Sequence, residues 1–121
     1  MNDITAIILT KNEEVNIERC IESIQGLADR IVVVDSGSTD RTIELASGLD
    51  AEIYHHEPFE HYAKQFNWAL DHVDVKTKWI YRIDADEVVT PELKKEIIQA
   101  CRDHQDDDVN GLVMKFKVYF M

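Results

Sequence analysis

The chain has only two cysteines and no long apolar run among its 121 residues. Cys20 and Cys101 lie far apart, each within a helical pattern, so the sequence has neither a disulfide framework nor a zinc-binding spacing. No apolar stretch approaches the roughly 20 residues that cross a bilayer, and the N-terminus lacks a signal-peptide pattern. These absences predict a cytoplasmic protein with reduced thiols and no membrane span.

Positive charge is also scarce. The chain carries 13 lysines and arginines against 24 aspartates and glutamates, for a formal net charge of −11. Nucleic acids bind basic surfaces, so this balance argues against them as partners. A small phosphorylated ligand remains compatible with it if a metal ion reverses the local sign. The length and the hydrophobic content of 45% predict one globular domain, residues 1–121.

The most informative stretch begins at residues 79–83, an apolar and aromatic run that predicts a mostly buried strand. Three carboxylates follow it, on Asp84, Asp86 and Glu87. If the strand geometry persists, Asp84 and Asp86 point to the same side. Such a pair suits Mg²⁺ or Mn²⁺ with phosphate oxygens on its open positions. A solvated acidic turn is the alternative interpretation of these residues.

Three other apolar runs predict strands at residues 4–9, 30–35 and 51–54. The second run ends in Asp35 and a turn of small residues, in which Ser38 or Thr39 is placed to cap the next helix. This turn can cradle an anion or can be an ordinary capped loop. A carboxylate closing so apolar a strand can accept two hydrogen bonds, which suits a base N–H or ribose hydroxyls.

Amphipathic patterns predict helices between and after these strands. The four apolar stripes are Ile17, Cys20, Ile21, Ile24 and Leu27 after a cap at Asn12 or Asn16; Ile43, Ala46 and Leu49; Tyr62, Phe66, Ala69, Leu70 and Val73; and Leu93, Ile97, Ala100 and Cys101 after a cap at Thr90. Residues 55–61 hold three histidines at a spacing that fits no zinc pattern, so a lid or substrate-facing loop is favoured. Residues 106–108 predict a solvated acidic loop, and residues 111–121 a last strand.

The alternation of strands and helices predicts an α/β domain around a mostly parallel sheet. Ligands of such sheets bind outside the carboxyl ends of the strands. Three polar clusters fall at those ends: residues 10–13, residues 35–37 and residues 84–86. Their convergence on one edge is stronger evidence than any single motif. Because Gly-x-Gly-x-x-Gly does not follow the first strand, a dinucleotide-binding Rossmann domain is disfavoured.

These motifs resemble those of the inverting family 2 glycosyltransferases, in the branch that builds bacterial lipopolysaccharide core and other cell-surface polysaccharides. The resemblance rests on Ile-Leu-Thr-Lys-Asn-Glu-Glu (8–14), Val-Val-Asp-Ser-Gly-Ser-Thr-Asp (33–40), Gln-Phe-Asn-Trp-Ala-Leu (65–70) and Asp-Ala-Asp-Glu (84–87). It implies a GT-A fold, Rossmann-like, with a mostly parallel sheet flanked by helices. It also implies a nucleoside-diphosphate sugar as donor, with UDP-sugars favoured, and Mg²⁺ or Mn²⁺ as cofactor.

The resemblance assigns roles to individual residues. Asp86 is expected to ligate the metal directly, with Asp84 near the ribose or reaching the metal through water. The residues expected at the nucleotide-sugar are Thr10, Asn12, Glu13, Asp35, Gly37, Lys64, Asn67, Asp84 and Ala85. Family members often carry arginine just before the asparagine that is Asn67 here. This chain has Phe66 in its place, which leaves Lys64 or Gln65 to compensate at the diphosphate.

The resemblance also implies a part that this chain lacks. The acceptor-binding half and the general base of the family lie downstream of the strand that ends here at Met121. We therefore expect an N-terminal, donor-binding portion that is inactive in transfer and self-associates through an uncovered strand at residues 112–120. The full-length protein is expected to transfer a sugar with inversion to a cell-envelope glycan or lipid-linked acceptor. Its expected place is the cytoplasm, with peripheral association at the inner face of the membrane.

Two other classes of protein share parts of this pattern. A haloacid-dehalogenase-like phosphatase also has Asp-x-Asp after an apolar strand, but there the pair comes early and Glu87 replaces a small residue. A non-enzymatic receiver-like domain matches in size and acidity, but it needs paired acids after the first strand, where Thr10, Lys11 and Asn12 stand. Covalent phosphorylation of Asp84 would establish the first of these.

Overall fold

The computed structural model describes residues 2–57, 61–103 and 118–120. Within them, strands and helices alternate along the chain. The strands are β1 (Ile4–Thr10), β2 (Arg30–Asp35), β3 (Glu52–His55), β4 (Trp79–Asp84) and β5 (Val118–Phe120); the helices are α1 (Ile17–Ile24), α2 (Thr42–Gly48), α3 (Tyr62–His72) and α4 (Pro91–Asp103).

The strands form one sheet in the order β3-β2-β1-β4-β5. β1 lies at its centre and pairs in parallel with β2 and β4, while β3 pairs in parallel with β2. β5 pairs with β4 in the antiparallel sense. Every residue of β1 is buried, as expected for a central strand covered on both faces. The predicted α/β domain with a mostly parallel sheet is therefore confirmed.

Two apolar clusters cover the two faces of the sheet. The larger cluster joins the sheet to α1, α2 and α4, through buried residues such as Ile21, Ala46 and Ile97. The smaller cluster joins it to α3 through Phe66, Ala69 and Val73. Side chains alternate along a strand, so each strand supplies both clusters. Trp79, Tyr81 and Ile83 of β4 join the larger cluster and Ile80 the smaller.

Most predicted elements lie where the sequence placed them. Thr90 caps α4, because its hydroxyl oxygen accepts a hydrogen bond from Leu93 N–H at 3.1 Å. Both cysteines are free and buried, as predicted. β3 begins and ends one residue later than expected, and Leu70 of the α3 stripe is exposed. The predicted acidic loop at 106–108 and most of the last predicted strand lie outside the described residues.

The predicted cap of α2 is wrong. Ser38 and Thr39 both lie outside the helix, which begins at Thr42 after Arg41 in the cap position. The carboxylate of Asp40 accepts hydrogen bonds from the backbone N–H and the hydroxyl of Thr42, and so takes the role of the cap. Asn16 does hold the cap position of α1, but without a side-chain hydrogen bond to the helix.

Candidate functional site

Three polar side chains mark the carboxyl ends of adjacent parallel strands. Thr10 ends β1, Asp35 ends β2 and Asp84 ends β4. The strand register pairs Thr10 with Asp35 and Leu9 with Asp84, so all three lie at one edge of the sheet. The predicted convergence of the polar clusters is confirmed by this register. Thr10 and Asp35 point to the face of the larger cluster, whereas Asp84 points to the face that α3 covers. A ligand that meets all three must cross the edge.

Asp35 organises the β2 side of this edge. Its side chain is fully buried and its carboxylate accepts four hydrogen bonds. The donors are Thr10 Oγ1 at 2.7 Å, Gly37 N at 3.0 Å, Ser38 N at 2.8 Å and Ser38 Oγ at 2.5 Å. Burial by itself raises the pKa of a carboxyl, but these bonds outweigh it and hold the pKa of Asp35 below its usual value. Asp35 is therefore ionised at neutral pH and fixes the turn that follows it.

The loops after β1 and β2 are joined to each other by hydrogen bonds. Asn12 has a positive φ of 54°. Its backbone N–H donates to Ser38 Oγ at 2.8 Å, and its side-chain Oδ1 accepts from Thr39 N–H at 2.8 Å. Lys11 Nζ donates to Gly37 O at 2.7 Å, and Glu13 N–H donates to Thr42 Oγ1 at 2.8 Å. The clusters at residues 10–13 and 35–37 are thus joined by one network of hydrogen bonds.

The acidic motif forms a turn, and the strand geometry ends at Asp84. Glu87 N–H donates to Asp84 O at 2.9 Å, and Asp84 N–H donates to the Glu87 carboxylate at 2.9 Å. Ala85 is buried between them, and Asp86 is exposed at the tip. The condition under which Asp84 and Asp86 would point to the same side, a strand that continues to Asp86, is therefore not met. The reason is the reciprocal pair of bonds between Asp84 and Glu87, which closes the backbone.

The carboxylates of this edge share a region of negative potential. The thiol of Cys20 lies next to these carboxylates, since Cys20 Sγ–H donates to Asp84 O at 3.6 Å. The pKa of this thiol is raised to about 12, first by burial and then by the charges of four carboxylates, on Glu87, Asp86, Asp84 and Glu13. Such a field favours a cation at the edge and disfavours an anion without one.

The donor atoms fit a hard divalent cation that brings other ligands with it. Asp84 and Asp86 supply carboxylate oxygens, which Mg²⁺ and Mn²⁺ prefer. Within the described residues, no group of three or more histidines, cysteines, aspartates or glutamates is placed to hold a metal ion. A cation held by Asp84 and Asp86 alone would have to take its remaining ligands from phosphate oxygens and water. Among the described residues, His55, His56 and His61 likewise form no group that could hold a metal ion.

Helix α3 reaches this edge through Gln65, a contact that sequence reasoning missed. Gln65 is 2% exposed; its Oε1 lies 2.7 Å from His56 Nδ1 and its Nε2 donates to His56 O at 3.3 Å. The backbone N–H of His56 donates to Asp35 O at 2.9 Å. The predicted candidates Lys64 and Asn67 are both exposed on this helix. Phe66 is buried in the smaller cluster.

A stack of three rings extends from the same loop along α3. The rings of His56 and Trp68 lie 4.4 Å apart, and those of Trp68 and His72 lie 4.3 Å apart. His72 Nδ1 lies 2.8 Å from Trp68 O. The four-residue spacing of Trp68 and His72 signals their contact in the sequence. No sequence signal places His56 against them, because that contact depends on how the loop folds back.

Residues 5–119 match the profile of glycosyl transferase family 2. An uncharacterized glycosyltransferase of Rickettsia typhi is 37% identical to the chain over 120 residues, which are 99% of this chain and 40% of that protein. The lipopolysaccharide core biosynthesis glycosyltransferase LpsC of Rhizobium meliloti is 40% identical over 96 residues, or 76% of this chain and 34% of that protein. The chain thus spans less than half the length of these relatives.

Among solved structures, glucosyl-3-phosphoglycerate synthase of Mycobacterium tuberculosis superposes with a TM-score of 0.59 and 26% identity, over 68% of this chain and 33% of that one. That enzyme was solved in complex with Mn²⁺, UDP and glucosyl-3-phosphoglycerate, and also with Mg²⁺ and UDP. The likeness supports the GT-A fold that the sequence resemblance implied.

Within the described part of the chain, no helix is long and apolar enough to span a membrane.

Proposed function

The chain belongs to glycosyl transferase family 2, and we propose that residues 1–121 form its donor-binding domain, the N-terminal portion of an inverting glycosyltransferase. Membership in this family rules out the two alternative classes, a haloacid-dehalogenase-like phosphatase and a receiver-like domain. The observation that carries the proposal is the meeting of Thr10, Asp35 and the Asp84–Asp86 turn at one sheet edge. A nucleoside diphosphate is long enough to cross that edge from the β2 side to the β4 side.

The nucleoside lies on the β2 side in this proposal. Thr10 and Glu13 border the nucleotide, and Asn12 and Gly37 form the joined loops beneath it. Asp35 holds the base. Its carboxylate already accepts four protein hydrogen bonds, which fills the acceptor capacity of a carboxylate. A base N–H therefore binds by displacing the Ser38 hydroxyl, which can rotate away, while the two backbone donors stay in place.

The diphosphate lies on the β4 side. Asp86 would be the direct ligand of Mg²⁺ or Mn²⁺, and Asp84 would lie near the ribose or reach the metal through water. When bound, the metal supplies positive charge that stabilises the departing diphosphate. Glu87 fixes the turn through its bond to Asp84 N–H, and buried Ala85 keeps the backbone of the turn against the sheet. Lys64 and Asn67 of α3 border the same side.

The reaction is displacement at the anomeric carbon of the donor sugar. An acceptor hydroxyl forms the new bond to this carbon, the bond to the diphosphate oxygen breaks, and the configuration inverts. A general base takes the hydroxyl proton, and we assign that role to no carboxylate of residues 1–121. The likeness to LpsC supports a cell-envelope glycan or lipid-linked acceptor. We also propose that the protein is cytoplasmic and associates peripherally with the inner face of the membrane.

The donor is a nucleoside-diphosphate sugar, and a UDP-sugar is favoured by the likeness to an enzyme solved with UDP. Calorimetric titration with UDP, GDP and ADP in the presence of Mn²⁺ tests this choice. The expected result is one binding site and the tightest binding for UDP. If no nucleoside diphosphate bound, the proposal would be refuted; a preference for GDP or ADP would refute the choice of nucleotide alone.

A further inference from the structure

Arg82 places a positive charge beside the acidic turn. It lies two residues before Asp84 on β4, and strand alternation puts both side chains on the face that α3 covers. Two residues of strand span roughly 6.5–7 Å. Trp79, Tyr81 and Ile83 occupy the opposite face. Arg82 is thus the side chain next to Asp84 on its own face of the strand.

The guanidinium of Arg82 is held against an aromatic ring of α3. Its central carbon lies 5.6 Å from the centre of the Phe66 ring, and Phe66 is only 8% exposed. A guanidinium is attracted to the face of an aromatic ring and loses rotamer freedom there. Arg82 itself is half-buried. Its side chain is therefore restrained before any ligand arrives.

The chemistry of this residue fits a diphosphate. Guanidinium is protonated at every physiological pH and presents five N–H donors in a planar fork that matches phosphate oxygens. On the other side of the edge, Lys11 Nζ donates to Ser36 O and Gly37 O, which ties that cation to the β2 turn. If a cation at Asp84 and Asp86 holds a diphosphate, an arginine two residues earlier on the same face of β4 is long enough to reach it.

We propose that Arg82 donates hydrogen bonds to the diphosphate of the nucleotide-sugar, with Phe66 holding its guanidinium in place. This inference rests on the proposed function. It assigns to β4 the fixed positive charge of the diphosphate site. As the bond between the anomeric carbon and the diphosphate oxygen breaks, its electron pair stays on that oxygen, and Arg82 offsets part of the charge.

The test compares Arg82→Met with Arg102→Met, which removes an equal charge from the exposed last turn of α4. UDP binding is measured by calorimetry with saturating Mn²⁺, and uridine binding by NMR titration. Hydrogen bonds to charged groups predict a loss of roughly tenfold to a hundredfold for UDP in Arg82→Met. Uridine binding should be unchanged, and Arg102→Met should match the wild type for both ligands.

The outcomes separate the inference from the proposed function. Failure of the wild type to bind UDP would remove the proposed function itself. Equal UDP affinity in the wild type and Arg82→Met, or equal losses for UDP and uridine, would overturn the role of Arg82 alone. If Arg82→Met does not fold, Arg82→Lys carries the test, because it keeps the charge but loses the planar fork. Its UDP affinity must then fall while its uridine affinity does not.

Discussion

At the scale of single residues, Asp35 links the stability of the domain to its site. Its carboxylate is fully buried and accepts four hydrogen bonds. In Asp35→Asn the side-chain NH₂ would face N–H and O–H groups that now donate to the carboxylate. This variant is therefore expected to lower the free energy of unfolding at neutral pH by about 1–3 kcal/mol. Urea denaturation measures this, with the exposed Asp71→Asn on α3 as control. A loss no larger than that of the control would contradict the role of Asp35.

The same residue predicts a pH dependence. The pKa of Asp35 is lower in the folded state than its usual value, so the unfolded chain binds the proton more readily. The stability from Asp35 is therefore fully present above the unfolded pKa, about 4, and is lost as the pH falls through the folded pKa. The stability difference between wild type and Asp35→Asn should narrow below about pH 4. A difference that stayed constant from pH 7 to pH 3 would exclude this explanation.

Replacing Asp86, unlike replacing Asp35, should weaken ligand binding without lowering the stability of the fold. It is exposed at the tip of the acidic turn, among like charges whose repulsion its neutralisation relieves. Asp86→Asn is expected to leave the melting temperature unchanged or slightly raised, and to weaken Mn²⁺-dependent UDP binding by about tenfold or more. Scanning calorimetry and titration measure the two effects. If the melting temperature collapsed, the acids would be structural and the metal interpretation wrong.

At the scale of elements, the turn after β2 can be tested with two glycines. Gly37 and Gly26 both have positive φ, at 97° and 84°. A Cβ on Gly37 would lie 1.9 Å from Glu57 Oε1, whereas one on Gly26 would meet nothing within 4 Å. Both alanine variants should lose about 1–2 kcal/mol of unfolding free energy through the backbone alone.

Only Gly37→Ala should also weaken UDP binding, because it displaces Glu57 and disturbs the turn that Asp35 orders. Titration of both variants with UDP and Mn²⁺ measures this, and Gly26→Ala serves as the matched control. Equal UDP affinity in the two variants would show that the β2 turn does not contribute to the donor site.

Most strands and helices could be predicted from the sequence, but the contacts between their connecting loops could not. β1, β2 and β4 were predictable because runs such as Val32, Val33 and Val34 permit little except a buried strand. The start of α2 was not, because Ser38 is drawn to Asp35 and Asn12 across the loops instead of capping the helix. The contact of Gln65 with His56 was also hidden, since it joins two elements across a loop.

The candidate site shows the same division. Strand order alone indicated that Thr10, Asp35 and Asp84 meet at one edge, because carboxyl ends of parallel strands share an edge. The four hydrogen bonds to Asp35 and the turn that closes at Glu87 depend on backbone paths that no residue pattern specifies. The contact between Arg82 and Phe66 required the register of α3 on the sheet.

At the scale of the whole molecule, a net charge of −11 repels every phosphorylated ligand. Salt screens this repulsion beyond a Debye length of about 8–10 Å, but not between groups in contact at the edge. We therefore expect the acidic edge to bind a diphosphate only together with a divalent cation.

Calorimetric titration of UDP into the wild-type chain, once with Mn²⁺ and once with EDTA, measures this dependence on the cation. We expect one site in Mn²⁺ and an affinity at least about tenfold weaker in EDTA, a difference of about 1.4 kcal/mol or more. Equal affinity under the two conditions would refute metal-dependent binding, because the carboxylates of Asp84 and Asp86 would then have no part in binding the donor.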